Sequence, residues 1–469
     1  MAIVTGPQLN GNRKPRAPTK DDSQAVFDSS ALLSERIRKW QPPAISSLLP
    51  LEAVPGMISL IVGKPNPDCF PFSGLSIALK GTNEKIDLNE AELHDAFQYA
   101  LLPGGVPGLR KARMLWFEEF QAKMHNPGPT GTWGCAIGSG SQDLLHKAFQ
   151  VFTDPGDPIL IETPAYSGTL GFLIADSHNL VEVCSDAEGL NPAEVERSLA
   201  TWPSDKPRPR VLYTVPTGSN PTGRSCTQAR KIEILRLAKK YNFIIFEDDA
   251  YYFLDFTDPA TKARSYLSLE SEANGETGRV LRFDSLSKIV SAGMRIGVLT
   301  TSPPILQKVN MITANTNLQA PSTSQVLLFA LLRHWGHAGF LAHTAQTAAF
   351  YRRKRDVFVA AAARHLTGKA TWEVPAAGMF LWIRLRLLPA GGGGGGGQED
   401  SFEAVRKFAV AAGVVAVPGV GFMPGGARGC HIRASFSLVG TEEEADEACR
   451  RIAVLVDLAN GVVVEGAGC

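Results

Sequence analysis

Short apolar runs that alternate with helical spacing leave a chain few folds to choose from. Seven such runs lie in the middle of this one: Trp133–Ile137, Pro158–Ile161, Leu180–Val183, Arg210–Val215, Phe243–Phe246, Val280–Phe283 and Gly297–Thr301. Helical segments separate several of them. Pro107–His125 carries Leu109, Ala112, Leu115, Phe117 and Phe120 at helical spacing, and Thr227 stands as N-cap of a helix to Tyr241. Brief apolar strands between helices must bury both faces, which requires a largely parallel sheet covered on each side. The expected class is α/β: a large unit with a mostly parallel seven-stranded sheet between helices, plus a smaller α+β unit.

The smaller unit follows from a change of pattern after Pro321. Helical spacing covers Ser322–Trp335 and Phe340–Leu366. Strand patterns follow at Met379–Leu385, Val414–Val417 and around His431–Phe436, with helices at Phe402–Ala412 and Thr441–Asn460. Thr441 and Glu444 have capping-box spacing for the last helix. We divide the chain into a flexible tail (1–24), an N-terminal arm that contributes to the small unit (25–60), a large unit (61–335) that carries the site described below, and a small C-terminal unit (336–469). The arm holds a short helix pattern, Ser30–Trp40, and then a Pro-rich extended stretch. Gly391–Gly397 is a low-complexity surface loop with no assigned role.

Composition removes several classes of function. Lys+Arg is 47 against Asp+Glu 46, whereas a nucleic-acid surface needs an excess of positive charge. No apolar run reaches the length of a membrane span. Seven scattered cysteines without metal-ligand spacing fit a reduced interior and no metal site. The first 24 residues lack a secretory core, and their prolines with Asp21–Asp22 do not suit an amphipathic presequence. The expected location is cytoplasmic, with the mitochondrion as the alternative.

The chemistry sits in the turns after the strands. Lys288 lies between two apolar strands, where a buried amine loses its proton readily and attacks carbonyls. Ser285, Ser287 and Arg295 surround it in sequence, and hydroxyls with a guanidinium fork suit a phosphate. Lysine and phosphate ligands on one turn suggest a Schiff base with a phosphorylated aldehyde. In IGSGSQDLLHKAF, Ser141 and Gln142 open a helix whose N-terminus would take an anion, although Ser141 serves equally well as a plain N-cap. Tyr166, after the next strand, could cover a ring or simply be a half-buried tyrosine. Asn220, in VPTGSNPTG, could donate to a phenolate or only shape an Asn-Pro turn. Asp248, in FEDDAYY, ends an apolar strand and so needs a partner such as a protonated ring nitrogen, with Tyr251 in reach of the same ligand. Arg433 sits in an alternating strand and wants a carboxylate, from a substrate or from a structural ion pair. Together these groups can hold pyridoxal phosphate.

The segments GSGSQ, PAYSGTL, YTVPTGSNPTG, EDDAYYFLDF, SLSKIVSAGMRIG, WEVPAAGMFLWI and IRASFS, in this order, resemble the fold type I, class I/II pyridoxal-phosphate aminotransferases. They are most similar to the 2-aminoadipate/kynurenine and fungal-type aromatic enzymes. The resemblance implies that Lys288 carries the cofactor, that Asp248 holds its pyridine nitrogen, and that Tyr251 and Asn220 meet the phenolate oxygen. It further implies that Tyr166 stacks on the ring and that Ser141, Gln142, Ser285, Ser287 and Arg295 take the phosphate. Arg433 would bind the substrate carboxylate, with Gly63 close by. Tyr99 would reach the neighbouring subunit's phosphate, which implies a homodimer with shared sites. The implied partners are amino acids and 2-oxo acids, the acceptor being 2-oxoglutarate. No basic residue occurs in Ala44–Leu49, which tilts the donor towards aromatic side chains. The loop after Tyr99 is one residue longer than in some relatives, and Ala250 stands where proline is common. Alternatives on the same fold are a cysteine-conjugate β-lyase and, more distantly, a transcription regulator; the latter needs a helix-turn-helix that residues 1–60 do not show.

Overall fold

The computed structural model describes residues 25–41, 48, 50–51, 54–58, 60–61, 63, 65–99, 107–388 and 400–463. The tail, most of the Ala44–Leu49 stretch, the loop after Tyr99 and the glycine run lie outside the described residues.

All seven apolar runs become strands of one sheet. They are β1 (Gly134–Gly138), β2 (Pro158–Thr163), β3 (Asn179–Asp186), β5 (Val211–Thr214), β6 (Ile244–Asp248), β7 (Val280–Ser285) and β8 (Gly297–Thr301). The sheet has eight strands rather than the expected seven. The extra one, β4 (Gly189–Leu190), is a two-residue edge strand, too short to leave a pattern. The order is β1-β8-β7-β6-β5-β2-β3-β4. Strands β7, β6, β5, β2 and β3 run parallel, while β8 opposes both its neighbours and β4 opposes β3. Every residue of β2, β5, β6, β7 and β8 is buried, as a sheet covered on both faces demands.

Helices follow several strands. They include α1 (Pro107–His125), α2 (Ser141–Phe152), α3 (Ser167–Ala175) and α4 (Gln228–Tyr241). Thr227 is at the N-cap position of α4, but its side chain makes no capping bond. The segment α5 (Ser322–Leu366) holds the two expected helices, which meet at Gly336; its φ of 58° is non-helical, a conformation that glycine adopts freely. Near the start, the Ser30–Trp40 pattern splits into a 3₁₀ turn at Ser30–Leu32 and a helix at Glu35–Lys39. The break comes at Ser34, whose hydroxyl accepts from Ile37 N–H at 3.3 Å and starts the second piece.

A four-stranded antiparallel sheet forms the second layer. Its strands are β9 (Ala370–Trp372), β10 (Phe380–Leu385), β11 (Val417–Pro418) and β12 (His431–Ser435), in the order β9-β10-β12-β11. The expected strand Val414–Val417 shrinks to its last residue and Pro418. Val415 is 81% exposed, while Val414 and Ala416 pack against the core without pairing to a strand. Helices α6 (Ser401–Ala412) and α7 (Glu442–Ala459) cover this sheet. Only half of the expected capping box forms: Thr441 accepts from Glu444 N–H, while the Glu444 carboxylate takes Gly440 N–H instead of that of Thr441.

Candidate active site

Strand direction decides where chemistry can gather. In a parallel sheet the carboxyl ends of the strands open on one edge, and ligands bind there. Here β1, β2, β5, β6 and β7 deliver Ser141, Tyr166, Asn220, Asp248 and Ser285 to that edge. Arg433 faces them from β12 of the small sheet. Between them lies a cavity of about 310 Å³. Its lining includes Ser141, Gln142, Tyr166, Asn220, Asp248, Tyr251, Ser285, Ser287, Lys288, Arg295 and Arg433. The structure thus brings together eleven of the thirteen expected site residues. Gly63 and Tyr99 are exposed and do not line the cavity in this chain.

One end of the cavity is built for an anion. Gly140, at φ 96°, caps α2, so Ser141 is the first helical residue rather than the cap. A Cβ on Gly140 would lie 2.4 Å from Arg295 Nη2, and one on Gly297 would lie 2.4 Å from Ser141 N. Backbone, guanidinium and helix N-terminus therefore share a space that no side chain could enter. Arg295 sits at φ 53° and donates to Ser287 Oγ at 3.1 Å.

The other end holds the titrating groups. Asp248 is buried, and its Oδ2 accepts the Tyr213 hydroxyl at 2.8 Å. Its Oδ1 has no partner. Burial is the main reason that its pKa is pushed up to about 7, against the Tyr213 bond and the charge of Lys288. Lys288 is shifted down, first by burial and then by Arg295 and Arg433, while Asp248 opposes the shift. Burial raises Tyr251 and Tyr166, so both stay protonated donors. The ring of Tyr166 lies over Gly168, where a Cβ would come within 2.5 Å of it. Asn220 follows a strand end and is joined to Pro221 by a cis peptide bond. Its Oδ1 accepts from Arg433 Nη1 at 2.8 Å, so its amide nitrogen is left to donate elsewhere. Arg433 lies over Phe380 at 4.3 Å and Phe422 at 5.0 Å, and its buried Nε lacks a partner.

Reading the sequence missed Tyr213, Thr169 and Phe380. Thr169 donates to the Tyr213 oxygen at 3.1 Å, and Tyr213 passes a hydrogen bond to Asp248. A tyrosine inside the all-buried β5 was the available signal, because a buried phenol needs a partner.

The cavity fits pyridoxal phosphate on three of these observations. The orphaned Asp248 oxygen faces a ring nitrogen's needs, the glycine-lined cradle suits a phosphate, and a lysine with a lowered pKa stands between them. The comparisons agree. Residues 132–452 match the family "Aminotransferase class I and II". Aminotransferase tdiD of Emericella nidulans is 56% identical over 93% of this chain and 97% of its own. The mitochondrial kynurenine/alpha-aminoadipate aminotransferase of Mus musculus is 38% identical over 89% of this chain and 96% of its own. The crystal structure of aminotransferase Aro8 from Candida albicans superposes with a TM-score of 0.79 at 24% identity, over 94% of this chain and 100% of that one, and supports the fold. The fold and site define a fold type I enzyme. This chain belongs to the class I and II aminotransferases, and its cofactor is pyridoxal phosphate.

Proposed function

We propose that this aminotransferase moves the amino group of an aromatic amino acid, of kynurenine or of 2-aminoadipate to 2-oxoglutarate. One observation carries the reading. Arg433 presents a buried, unpartnered Nε beside two phenyl rings, in the same cavity as Lys288. A guanidinium in that setting selects a carboxylate, and the rings favour a flat side chain next to it. The name of the mouse relative adds kynurenine and 2-aminoadipate to the candidates.

The residues divide the work. Lys288 would hold the cofactor's aldehyde carbon, and Asp248 Oδ1 would accept its ring N–H. Tyr251 and Asn220 would donate to the phenolic oxygen, and Tyr166 would cover one face. Ser141, Gln142, Ser285, Ser287 and Arg295 would hold the phosphate. When bound, the group supplies an electron sink for the Cα–H bond. Arg433 fixes the substrate carboxylate and so orients that bond, which is a gain in positioning. The Lys288 amine, whose proton burial and the guanidiniums of Arg295 and Arg433 make easier to lose, would take the Cα proton as general base and return it as general acid.

A dimer extends the reading. Tyr99 is exposed beside a stretch that also exposes Leu48, Leu51, Val54, Met57, Ile58, Leu60 and Phe72. An apolar surface of that kind suits a second copy of the chain, with Tyr99 completing the partner's phosphate site. Light scattering on the purified protein checks this. Among the described residues no helix is long and apolar enough to cross a membrane. We place the enzyme in the cytoplasm; fractionation distinguishes this from the mitochondrial location in the mouse relative's name.

An absorbance spectrum of the holoenzyme tests the reaction. Phenylalanine, kynurenine and 2-aminoadipate are added in turn. The expected result is a visible cofactor band that gives way to a shorter-wavelength form, fastest with the preferred donor. A protein that shows no band even with added pyridoxal phosphate would sink the assignment of Lys288. A band that no amino acid bleaches would sink these donors.

A further inference from the structure

His343 belongs to α5 but bonds to the turn that carries Lys288. Its Nε2 lies 2.7 Å from the carbonyl oxygen of Ile289, the residue after the lysine. A carbonyl only accepts, so Nε2 carries the ring proton and donates it. The turn needs an anchor of this kind. Lys288 ends a 3₁₀ turn, Leu286–Lys288, that leaves β7. The N–H groups of Ile289, Val290 and Ser291 all share one acceptor, Leu286 O, at 3.4, 2.9 and 3.3 Å. Two of these bonds are long, and one oxygen has two lone pairs for three donors. The imidazole holds the same turn from outside.

The ring is itself aimed. Trp335 stacks on it with centroids 4.7 Å apart and an interplanar angle of 26°. On one continuous helix these two residues would stand about 12 Å apart along the axis, too far for their rings to stack. They meet because the helices on either side of Gly336 join there at a non-helical φ. Beyond that join, α5 is fastened to the layer of the small sheet. Lys354 bonds to Val439 O, Arg355 donates to Pro375 O at 2.8 Å, and Arg364 donates to Asp446 at 2.7 Å. Val439 follows β12, the strand that holds Arg433. His343 thus ties the lysine turn to the layer that bears the arginine facing it across the cavity.

We propose that His343 is a positioning residue for Lys288. Its hydrogen bond fixes the backbone from which the amine reaches into the cavity, in register with Arg433. The amine is thereby set at a defined distance from a substrate whose carboxylate Arg433 holds. Proton transfer depends on that distance, whereas the grip of Arg433 does not. The bond should therefore act on kcat and leave KM for the amino donor nearly unchanged. The proposal rests on Lys288 being the lysine that holds the cofactor.

Two substitutions separate the hydrogen bond from the packing. His343→Phe keeps a ring against Trp335 and removes the donor. His343→Gln removes the ring and keeps an N–H of similar reach. In steady-state kinetics of the holoenzymes, corrected by urea melts for the folded fraction, His343→Phe should lose about tenfold in kcat, the scale of one lost hydrogen bond. Its KM should stay close to that of wild type, and His343→Gln should keep most of the turnover. A second readout needs no turnover. The cofactor-free proteins are treated with trinitrobenzenesulfonate, and labelling of Lys288 is followed by peptide mass spectrometry. Labelling should be faster in His343→Phe, whose turn is released, than in His343→Gln. The proposal is overturned if the two variants match in turnover or in labelling, if His343→Gln is the more impaired, or if His343→Phe changes KM alone. Borohydride reduction of the wild-type holoenzyme, which fixes the cofactor to the lysine that holds it, tells this failure from a wider one. A tag on Lys288 confines the failure to His343; a tag on another lysine overturns the reading of Lys288 and this proposal with it.

Discussion

Asp248 and Asp249 are consecutive, equally buried and chemically identical, yet the protein treats them in opposite ways. Asp249 faces Arg282, whose Nη1 lies 2.7 Å from its Oδ2. The same guanidinium reaches Asp284 at 2.8 Å and Glu247 at 3.4 Å, lies 4.6 Å from the Tyr252 ring centre and is wholly buried. Burial works against the Asp249 charge, but Arg282 and Lys231 outweigh it and lower its pKa. Asp248, on the other face of the sheet, has only a phenol and a cavity, and its pKa rises to about 7. Each aspartate has an Oδ1 without a partner, so an orphaned oxygen alone does not mark a ligand site. The difference is the countercharge. On one face the chain supplies its own cation; on the other it leaves that place to the ring nitrogen of the cofactor.

Exchanging the two positions should separate their roles. Asp248→Asn should fold normally and lose turnover on the order of 10²–10³-fold, the effect of removing one preorganised electrostatic group from a closed site. Asp249→Asn should keep most of the activity of its folded fraction and lose about 3 kcal/mol of stability, because a buried guanidinium loses a partner. Steady-state kinetics alongside urea melts reads both. Equal loss of activity in the two variants would break the comparison.

Titration sharpens it. A carboxyl whose pKa is near 7 when folded and near 4 when unfolded binds its extra proton in the folded state. Its contribution to stability is fully present below about pH 4 and is lost as pH rises towards about 7. Cofactor-free wild type should therefore lose more melting temperature between pH 5 and pH 8 than cofactor-free Asp248→Asn. Added pyridoxal phosphate should flatten the wild-type profile by supplying the missing cation. Matching slopes in the two apo proteins would show that Asp248 ionises freely.

Much of this was legible before any coordinates. Strand-end polar residues such as Lys288, Asn220 and Asp248 stand out because a largely apolar strand leads into each, and topology then forces them to one edge. The residues that stayed hidden are those whose role depends on pairing across the sheet. Tyr213 reads as one more buried strand residue until β5 is placed beside β6. Arg282 reads as a break in the apolar pattern of β7, not as the centre of three carboxylates. Gly63 and Tyr99 were carried over by resemblance, and in one chain neither enters the cavity. The small sheet was the least legible, since Ala370–Trp372 and Val417–Pro418 are too short to leave a period.

Removal of the one phenol that serves Asp248 is a milder break. Tyr213→Phe keeps the ring in a fully buried place and deletes only the donor to Oδ2. A hydrogen bond to a charged group is worth roughly 1.5–3 kcal/mol, so turnover or cofactor affinity should fall about 10- to 150-fold. Fluorescence titration of the apo protein with pyridoxal phosphate separates lost affinity from lost kcat. No change in either would mean that packing around Asp248, not the phenol, orients it.

The smallest effect should come from the Arg282 face. Gln121 Nε2 donates to Asp284 Oδ2 at 2.7 Å, but Asp284 already receives two bonds from Arg282. Deleting a neutral donor from a carboxylate so well served should cost about 1 kcal/mol. Two features reduce even that. The Gln121 Oε1 is itself buried without a partner, and the amide borders a cavity of about 20 Å³ among Trp116, Phe120 and Phe340. A leucine there removes the unsatisfied acceptor and packs against the rings. Gln121→Leu should shift the urea midpoint slightly and leave kcat alone, because Arg282 neutralises its face without help. A loss as large as that of Asp249→Asn would mean that the guanidinium holds three carboxylates only while Gln121 shares the load. The contrast between the two faces would then rest on a network rather than on a single cation.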